Sequence, residues 1–142
     1  MKNKKVLFIC TGNTCRSPMA EAILKQKLDA DGIDNIEVGS RGLAANAFQP
    51  AADNAQLVMS EMGCDLKAHK SKNLSREELS DTDLFLCMSE SHALMLSDCG
   101  VPRSALAVLD IPDPYGGSLD TYKAAAMKIK GEIEKRYEFI TK

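Results

Sequence analysis

A cysteine and an arginine separated by five residues enclose a short polar segment near the start of the sequence. The segment is Cys10-Thr-Gly-Asn-Thr-Cys-Arg16, and Ser17-Pro18 follow it. Successive backbone N–H groups at the start of a helix form a concave site for anions, and the helix dipole adds to their attraction. Arginine is always charged, and its planar guanidinium matches two oxygens of a phosphoryl group. Because the same donors favour a thiolate, the spacing predicts a cysteine nucleophile beneath a bound phosphoryl group.

The cysteine–arginine spacing alone is a weak signal, because a buried cysteine beside a solvated arginine would also produce it. Gly12 can take backbone angles that other residues resist, and Ser17 follows the arginine directly, so the full pattern is far more specific. Its ending differs from the G-K-[ST] of a nucleotide-binding P-loop. We therefore interpret the segment as a phosphate-binding loop, whose binding residues are predicted to be Thr11, Gly12, Asn13, Thr14, Cys15 and Ser17.

A second polar segment, Asp110-Ile-Pro-Asp-Pro-Tyr-Gly-Gly117, supplies carboxyl groups. Its two prolines and two glycines predict a loop. Hydrolysis of a phosphorylated side chain requires a proton for the leaving group and later a base that activates water. The residues alone leave Asp110 and Asp113 as alternatives for this role, and an Asp-Pro pair is also common in ordinary turns. Tyr115 is either a wall that stacks on a planar substrate or an isolated surface aromatic.

Short apolar runs with β-branched residues alternate with helical patterns along the sequence. Strands buried on both faces are predicted at Lys5–Cys10, Ile36–Val38, Leu84–Met88 and Ala105–Leu109. Helices are predicted at Pro18–Leu28, at Pro50–Met62, after Ser75, at Glu90–Leu96 and at Leu119–Phe139. This alternation predicts a single-domain α/β doubly wound sandwich over residues 1–142, with a four-stranded parallel sheet and helices on both faces. Cys10 ends the first strand, at the edge where such sheets bind ligands.

Composition and charge exclude several classes of function. Of the 142 residues, 44% are hydrophobic and 27% are charged, which is typical of a globular domain with a sizeable core. The formal net charge is −2 without a block of Lys or Arg, so we expect no binding to nucleic acid or anionic membranes. No apolar run has the length of a membrane span, and the run after Met1–Lys5 is too short for a signal-peptide core.

The five cysteines lack the spacing of a zinc site and are odd in number. They indicate a reducing compartment, which we predict to be the cytoplasm, rather than a disulfide framework. We expect neither a metal nor another cofactor, and the oligomeric state stays open. Cys10 and Cys15 lie five positions apart around a tight loop, and we hypothesise that a reversible disulfide between them switches the activity off.

The segment Val6–Glu21, VLFICTGNTCRSPMAE, resembles the signature of the low-molecular-weight protein tyrosine phosphatase family. Asp113-Pro114-Tyr115 is similar to the acid loop of that family, and the order of predicted elements agrees over nearly the whole chain. The resemblance implies that Cys10 is the nucleophile, Arg16 the oxyanion binder and Asp113 the general acid. It also implies a supporting polar network around the loop, formed by Asn13, Ser17, Ser40 and His69.

Without the resemblance, these supporting residues have ordinary interpretations. Ser17 is either a hydrogen-bond donor to the thiolate or a helix cap. Ser40 is a turn residue, and His69, beside two lysines, is a surface histidine. The sequence also departs from the family in two places. Arg41 stands where Ala or Gly is frequent, and Ser89 stands where Asp is frequent.

Thr14 carries the information on substrate. Phosphotyrosine-specific relatives usually have a bulky aliphatic residue at this position. In having Thr there, the sequence resembles the bacterial protein arginine phosphatases. A hydroxyl can hydrogen-bond a guanidine-type leaving group, and Gly116 stands where tyrosine-specific members often have a second aromatic residue beside Tyr115. Both features favour a phosphorylated protein substrate that carries phosphoarginine, with phosphotyrosine as the alternative.

Two other classes of protein fit the sequence less well. An arsenate reductase on this scaffold would need further cysteines to relay a disulfide, and Cys87 and Cys99 lack the expected spacing. A phosphopeptide-binding module would need neither Cys10 nor Asp113.

Overall fold

The computed structural model describes residues 3–142, in which strands and helices alternate along the chain. The strands are β1 (Lys4–Cys10), β2 (Ile36–Gly42), β3 (Leu84–Cys87) and β4 (Leu106–Val108). The α-helices are α1 (Arg16–Ala30), α2 (Asp53–Glu61), α3 (Arg76–Asp81), α4 (Glu90–Asp98) and α5 (Leu119–Thr141), and a 3-10 turn at Arg103–Ala105 precedes β4. Every predicted strand and helix is present, with boundaries that differ by a few residues.

The four strands form one parallel sheet in the order β2-β1-β3-β4. Strand β1 pairs with β2 from Lys4↔Ile36 to Cys10↔Gly42, and with β3 up to Ile9↔Cys87. The chain leaves β1 toward β2 on one side and returns to β3 on the other, so the strand order reverses at β1. The segment that follows Cys10 therefore starts at the switch point where open α/β sheets form their ligand crevice.

Helices cover both faces of the sheet because β1 is apolar on both of its sides. Val6 and Phe8 are buried in a core that α1, α2 and α5 complete, whereas Leu7 and Ile9 pack on the opposite side against residues of α4. Residues of α3 flank this second core. The predicted doubly wound fold is confirmed, and two cores hold the carboxyl end of β1 in place.

Some boundaries differ from the prediction for physical reasons. Helix α1 begins at Arg16, so Pro18 is its third residue, in the first turn where a missing N–H costs no helical hydrogen bond. Strand β2 continues to Gly42, and the interpretation of Ser40 as a turn residue is therefore wrong. Helix α2 begins at Asp53 rather than Pro50. In the described part of the chain, no helix has the length and apolar character needed to cross a membrane.

Candidate active site

The phosphate-binding loop turns the end of β1 directly into α1. Cys10 is the last residue of β1 and is almost completely buried, and Arg16 is the first residue of α1. The backbone N–H of Asn13 donates a hydrogen bond to Cys10 Sγ over 3.2 Å, and the hydroxyl of Ser17 lies 2.8 Å from the same sulfur. The loop thus places one N–H donor and one hydroxyl against the sulfur, and such partners favour a thiolate.

Asn13 is fully buried and fixes the shape of the loop. Its φ of 56° lies in the left-handed region, which asparagine tolerates better than most residues. Its side-chain amide nitrogen donates to Ser17 Oγ over 2.8 Å and to Ser40 Oγ over 3.0 Å. Its side-chain oxygen accepts from the backbone N–H of Lys72, and its carbonyl oxygen lies 2.7 Å from Nε2 of His69. The structure therefore brings together the four residues of the predicted supporting network.

His69 is half-buried and bonded to the loop, so its interpretation as a free surface histidine is wrong. Ser17 has no capping role either, because it lies inside α1 and Cys15 occupies the cap position. The side chains of His69 and Ser17 instead form hydrogen bonds that hold the phosphate-binding loop in place.

Glu21 extends this network and was missed by the sequence analysis. Its carboxylate accepts a hydrogen bond from Ser40 Oγ over 2.7 Å and pairs with Lys25 at 2.5 Å. A signal was available, because Glu21 follows Ser17 by four residues and therefore lies on the same face of α1.

Arg16 connects the phosphate-binding loop to the acid loop. Its guanidinium is buried, donates to the carbonyl oxygen of Ile111 over 2.9 Å and lies 3.8 Å from a carboxylate oxygen of Asp113. The second carboxylate oxygen of Asp113 accepts from the backbone N–H of Tyr115 over 3.1 Å. Asp110 does not line the pocket, and its carbonyl oxygen accepts from the ammonium of Lys128. Of the two alternative acids, only Asp113 therefore lies beside the loop.

A pocket of about 620 Å³ opens above Cys10. The whole loop from Cys10 to Arg16 forms its base, and Asp113 and Tyr115 line it together with residues of the segment 44–53. The backbone N–H of Ala52 donates to the carbonyl oxygen of Thr14 over 2.9 Å, which ties this segment to the loop. Ser17, Ser40 and His69 do not line the pocket. Ser17, predicted to bind phosphate, therefore lies beneath the pocket with Ser40 and His69, whereas Asn13 belongs both to the pocket wall and to the supporting network.

Comparison with known proteins decides the family. A family model described as low molecular weight phosphotyrosine protein phosphatase matches residues 5–142. The chain belongs to this family. It is 37% identical over 128 residues to the protein-arginine-phosphatase of Bacillus subtilis (strain 168), covering 83% of this chain and 84% of that protein. The chain is thus a phosphatase of the family that its sequence resembles.

Solved structures agree with this assignment. A low molecular weight protein tyrosine phosphatase from T. tengcongensis is 37% identical with a TM-score of 0.89, and the match covers 96% of this chain and 99% of that chain. A Cys-to-Ser variant of the YwlE arginine phosphatase, with a phosphorylated active-site serine, is 32% identical with a TM-score of 0.89 and covers 97% and 96% of the two chains. The relatives thus include enzymes named for phosphotyrosine and for phosphoarginine.

Cys15 lies inside the phosphatase, with its sulfur 3.3 Å from the hydroxyl of the buried Tyr122. Burial raises the pKa of the Cys15 thiol, and the hydrogen bond with Tyr122 opposes that increase in part. Burial, together with this hydrogen bond, also raises the pKa of Tyr122. Cys10 and Cys15 are free thiols in this structure. Cys87 is fully buried in β3, and burial raises its pKa to about 12, which leaves it an inert part of the core.

His92 is a second residue that the sequence analysis missed. It lies buried in the first turn of α4, with Nε2 2.9 Å from the hydroxyl of Thr11 and Nδ1 2.7 Å from that of Ser89. Burial lowers the pKa of His92, and the charge of Arg16 lowers it further. Ser89, a departure from the family, is therefore part of a hydrogen-bonded path from α4 to the loop. The carboxyl end of β3, which borders the switch point, was the available signal.

Arg41, the other departure from the family, points away from the loop into an ion-pair cluster. Its guanidinium pairs with Glu78 at 2.8 Å, and Lys5 approaches the same carboxylate to 3.3 Å. Burial alone would raise the pKa of Glu78, but hydrogen bonds from Arg41, Ser75 and Lys5 outweigh it and hold that pKa at about 2. Within residues 3–142, no cluster of three His, Cys, Asp or Glu side chains could hold a metal ion.

Proposed function

We propose that this phosphatase hydrolyses phosphorylated protein side chains through a phosphocysteine intermediate on Cys10. The observation that carries the proposal is the arrangement at the base of the pocket, where a backbone N–H and a hydroxyl contact a buried sulfur, Arg16 closes the loop and Asp113 lies beside Arg16. The similar YwlE variant with a phosphorylated active-site serine supports it, because the serine of that variant replaces a cysteine.

In the proposed mechanism, the thiolate of Cys10 attacks phosphorus in line with the leaving group. Arg16 and the backbone N–H groups of the loop hold the three equatorial oxygens, where negative charge is concentrated. Asp113 gives its proton to the departing oxygen or nitrogen as the bond to phosphorus breaks.

The second step releases phosphate. Asp113, ionised after the first step, removes a proton from water, which attacks phosphorus and displaces the sulfur of Cys10 as a thiolate. The hydroxyl of Ser17 lies where it can donate to that leaving sulfur. Because Arg16 and the N–H groups neutralise the phosphoryl charge, the proposal needs no metal ion. We expect full activity in EDTA and inhibition by vanadate, and strict dependence on a metal would refute the mechanism.

For the substrate, we propose phosphoarginine. Thr14 lines the pocket, and the nearest side-chain partner of its hydroxyl is a weak contact of 3.7 Å with the sulfur of Cys15. That hydroxyl is therefore available to a polar leaving group. Gly116 has a φ of 78°, which an aromatic residue rarely adopts, so Tyr115 is the single aromatic wall that this turn supplies. The relative from Bacillus subtilis, named a protein-arginine-phosphatase, supports this choice.

Phosphotyrosine is the second candidate, favoured by Tyr115. This side chain lines the pocket and remains exposed, so it could stack on the phenyl ring of a substrate. The relative from T. tengcongensis, named a tyrosine phosphatase, supports this alternative.

Matched peptides that carry phosphoarginine or phosphotyrosine test the choice through kcat/KM. We expect the wild type to prefer phosphoarginine. Thr14→Val, which removes the hydroxyl at nearly constant volume, should lower kcat/KM on phosphoarginine by about 5-fold and change kcat/KM on phosphotyrosine little, since one neutral hydrogen bond is worth about 1 kcal/mol. Thr14→Ile should shift the preference toward phosphotyrosine.

Two outcomes would contradict these proposals. A wild type that prefers phosphotyrosine, with no further shift in Thr14→Ile, would exclude the phosphoarginine assignment. Cys10→Ser should abolish phosphate release from p-nitrophenyl phosphate, and retained release would exclude the cysteine mechanism itself. We further propose a cytoplasmic location and a single phosphatase domain, supported by the free cysteines and the single sheet.

A further inference from the structure

Phe48 has a backbone conformation that phenylalanine rarely adopts. Its φ of 64° lies in the left-handed region, where a Cβ atom crowds the backbone and glycine or asparagine is usual. Its side chain is 76% exposed, so burial does not compensate for this strain. Neither local conformation nor packing within the chain therefore accounts for a phenylalanine here. Strain of this kind is concentrated at functional sites.

The turn that carries Phe48 is held firmly by Ser71, which is itself buried. The backbone N–H of Phe48 donates to the carbonyl oxygen of Ser71 over 2.8 Å. The backbone N–H of Ser71 donates to the carbonyl oxygen of Gln49 over 2.8 Å. The hydroxyl of Ser71 accepts from the backbone N–H of Gln49 and donates to the carbonyl oxygen of Asn46. The exposed ring is thus attached to a fixed turn, which reduces the ordering cost of a contact made there.

The position of Phe48 relates this strain to the pocket. Asn46 and Gln49, which flank it in sequence, both line the pocket above Cys10. Tyr115, on the acid loop that also lines the pocket, is 77% exposed. Among the large apolar side chains exposed in residues 3–142, these two aromatics are the most exposed. The others are 52–60% exposed and lie on helices, at Leu57, Leu94, Met95, Met127 and Phe139.

We propose that Phe48 is a docking contact for protein substrates and packs on an apolar side chain that neighbours the phosphorylated residue. The inference rests on the proposed function, because a polypeptide whose phosphorylated side chain enters the pocket must cross its rim. The preferred substrate segments then carry an aliphatic or aromatic residue next to the phosphorylated position. Covering one exposed aromatic ring in this way should change kcat/KM by about 10-fold or more.

The substitution Phe48→Gly separates docking from structure, because glycine relieves the strain at φ 64° while it removes the ring. The test uses phosphopeptides with leucine or serine on either side of the phosphorylated residue. For Phe48→Gly we expect a rise of about 10-fold in KM on leucine-flanked peptides and loss of the preference for leucine over serine. Hydrolysis of p-nitrophenyl phosphate, which has no polypeptide, should stay within about twofold of wild type, and thermal stability should not fall.

Met127→Ala removes an exposed side chain on α5 and serves as the matched control, with no expected change in any of these measurements. Unchanged peptide KM in Phe48→Gly would overturn the inference, as would a clear loss of thermal stability, which would mark Phe48 as a structural residue. A change of oligomeric state in sedimentation with unchanged peptide kinetics would assign the ring to a second copy of the chain and also overturn it. Wild-type protein inactive even on p-nitrophenyl phosphate would instead refute the proposed function.

Discussion

The pair Asn13→Ala and Asn13→Gly measures what holds the phosphate-binding loop in shape. The side-chain amide of Asn13 makes three hydrogen bonds, to the hydroxyls of Ser17 and Ser40 and from the backbone N–H of Lys72. A neutral hydrogen bond contributes about 1 kcal/mol net. Both variants should therefore lose about 3 kcal/mol of unfolding free energy through the missing amide.

The two variants differ in the backbone contribution. At φ 56°, alanine is strained by about 1–2 kcal/mol, whereas glycine is not. Alanine recovers about 0.4–1 kcal/mol because it restricts the unfolded chain more than glycine does. Asn13→Ala should thus be less stable than Asn13→Gly by about 1 kcal/mol, at a total loss of about 4 kcal/mol. Since small proteins have about 5–15 kcal/mol of stability, both variants should remain folded.

Urea unfolding gives the two free energies, and p-nitrophenyl phosphate gives kcat. We expect kcat to fall by about 10²-fold in both variants, because the N–H of residue 13 no longer points reliably at the sulfur of Cys10. Equal stability of the two variants would refute the argument from backbone strain. A loss below about 1 kcal/mol in Asn13→Gly would show that the buried hydrogen bonds contribute little.

Three further predictions concern the acid, an ion pair and a cysteine. Asp113→Asn should lower kcat by about 10²- to 10⁴-fold. The loss should be larger on phenyl phosphate than on p-nitrophenyl phosphate, because the poorer leaving group depends more on a proton from the acid. Equal losses on the two substrates would contradict the assignment of Asp113 as the acid. The pKa of Glu78 is about 2 in the folded protein, below the ordinary value of about 4.3. The ionised Glu78 therefore stabilises the fold fully above about pH 4.3, and this contribution is lost as pH falls toward 2. The difference in thermal midpoint between wild type and Glu78→Gln should shrink over that range, and a constant difference would refute the ion-pair account. Peroxide should inactivate the wild type reversibly through a Cys10–Cys15 disulfide seen by mass spectrometry, and Cys15→Ser irreversibly; thiol-reversible inactivation without that bond would exclude the switch.

The sequence was sufficient for the parts of the molecule that local pattern determines. Strand β1 has apolar side chains on both faces, and this pattern predicts a strand whatever the rest of the chain does. The loop from Cys10 to Arg16 was equally accessible, because an anion site made from backbone N–H groups requires contiguous residues. Of the two acids, only the resemblance selected Asp113, since spacing alone does not show which carboxyl group turns toward the loop.

Contacts between distant segments were beyond the sequence. The pairing of His92 with Thr11 joins residues 81 positions apart, and no periodicity records it. Ser40 was first interpreted as a turn residue because its strand is polar, with Glu37, Gly39 and Arg41 between the buried positions. Pairing with β1, rather than the hydropathy of β2 itself, extends that strand to Gly42. Tertiary pairing therefore explains the incorrect interpretation of Ser40.

The donors and acceptors in the hydrogen-bond network beneath the loop can be assigned in only one way. This assignment explains how Glu21, at the far end of the network, affects the sulfur of Cys10. The carboxylate of Glu21 can only accept hydrogen bonds, so Ser40 must use its single hydrogen there and can only accept from Asn13. The N–H of Lys72 fixes which end of the Asn13 amide is the oxygen, and the amide nitrogen must donate to Ser17 as well. The hydrogen of Ser17 is then left for the sulfur of Cys10, which receives a second hydrogen from the backbone N–H of Asn13.

A sulfur that accepts two hydrogen bonds and donates none is best satisfied as a thiolate, the form that can attack phosphorus. Glu21→Gln tests this reasoning, because its amide can donate to Ser40 and allow the hydroxyl of Ser40 to turn. If the direction of these hydrogen bonds matters, Glu21→Gln should lower kcat on p-nitrophenyl phosphate by about 10-fold, because the hydrogen of Ser17 is no longer reserved for the sulfur of Cys10. An unchanged kcat in Glu21→Gln would mean that Glu21 supports only the packing of the loop and does not bias the sulfur.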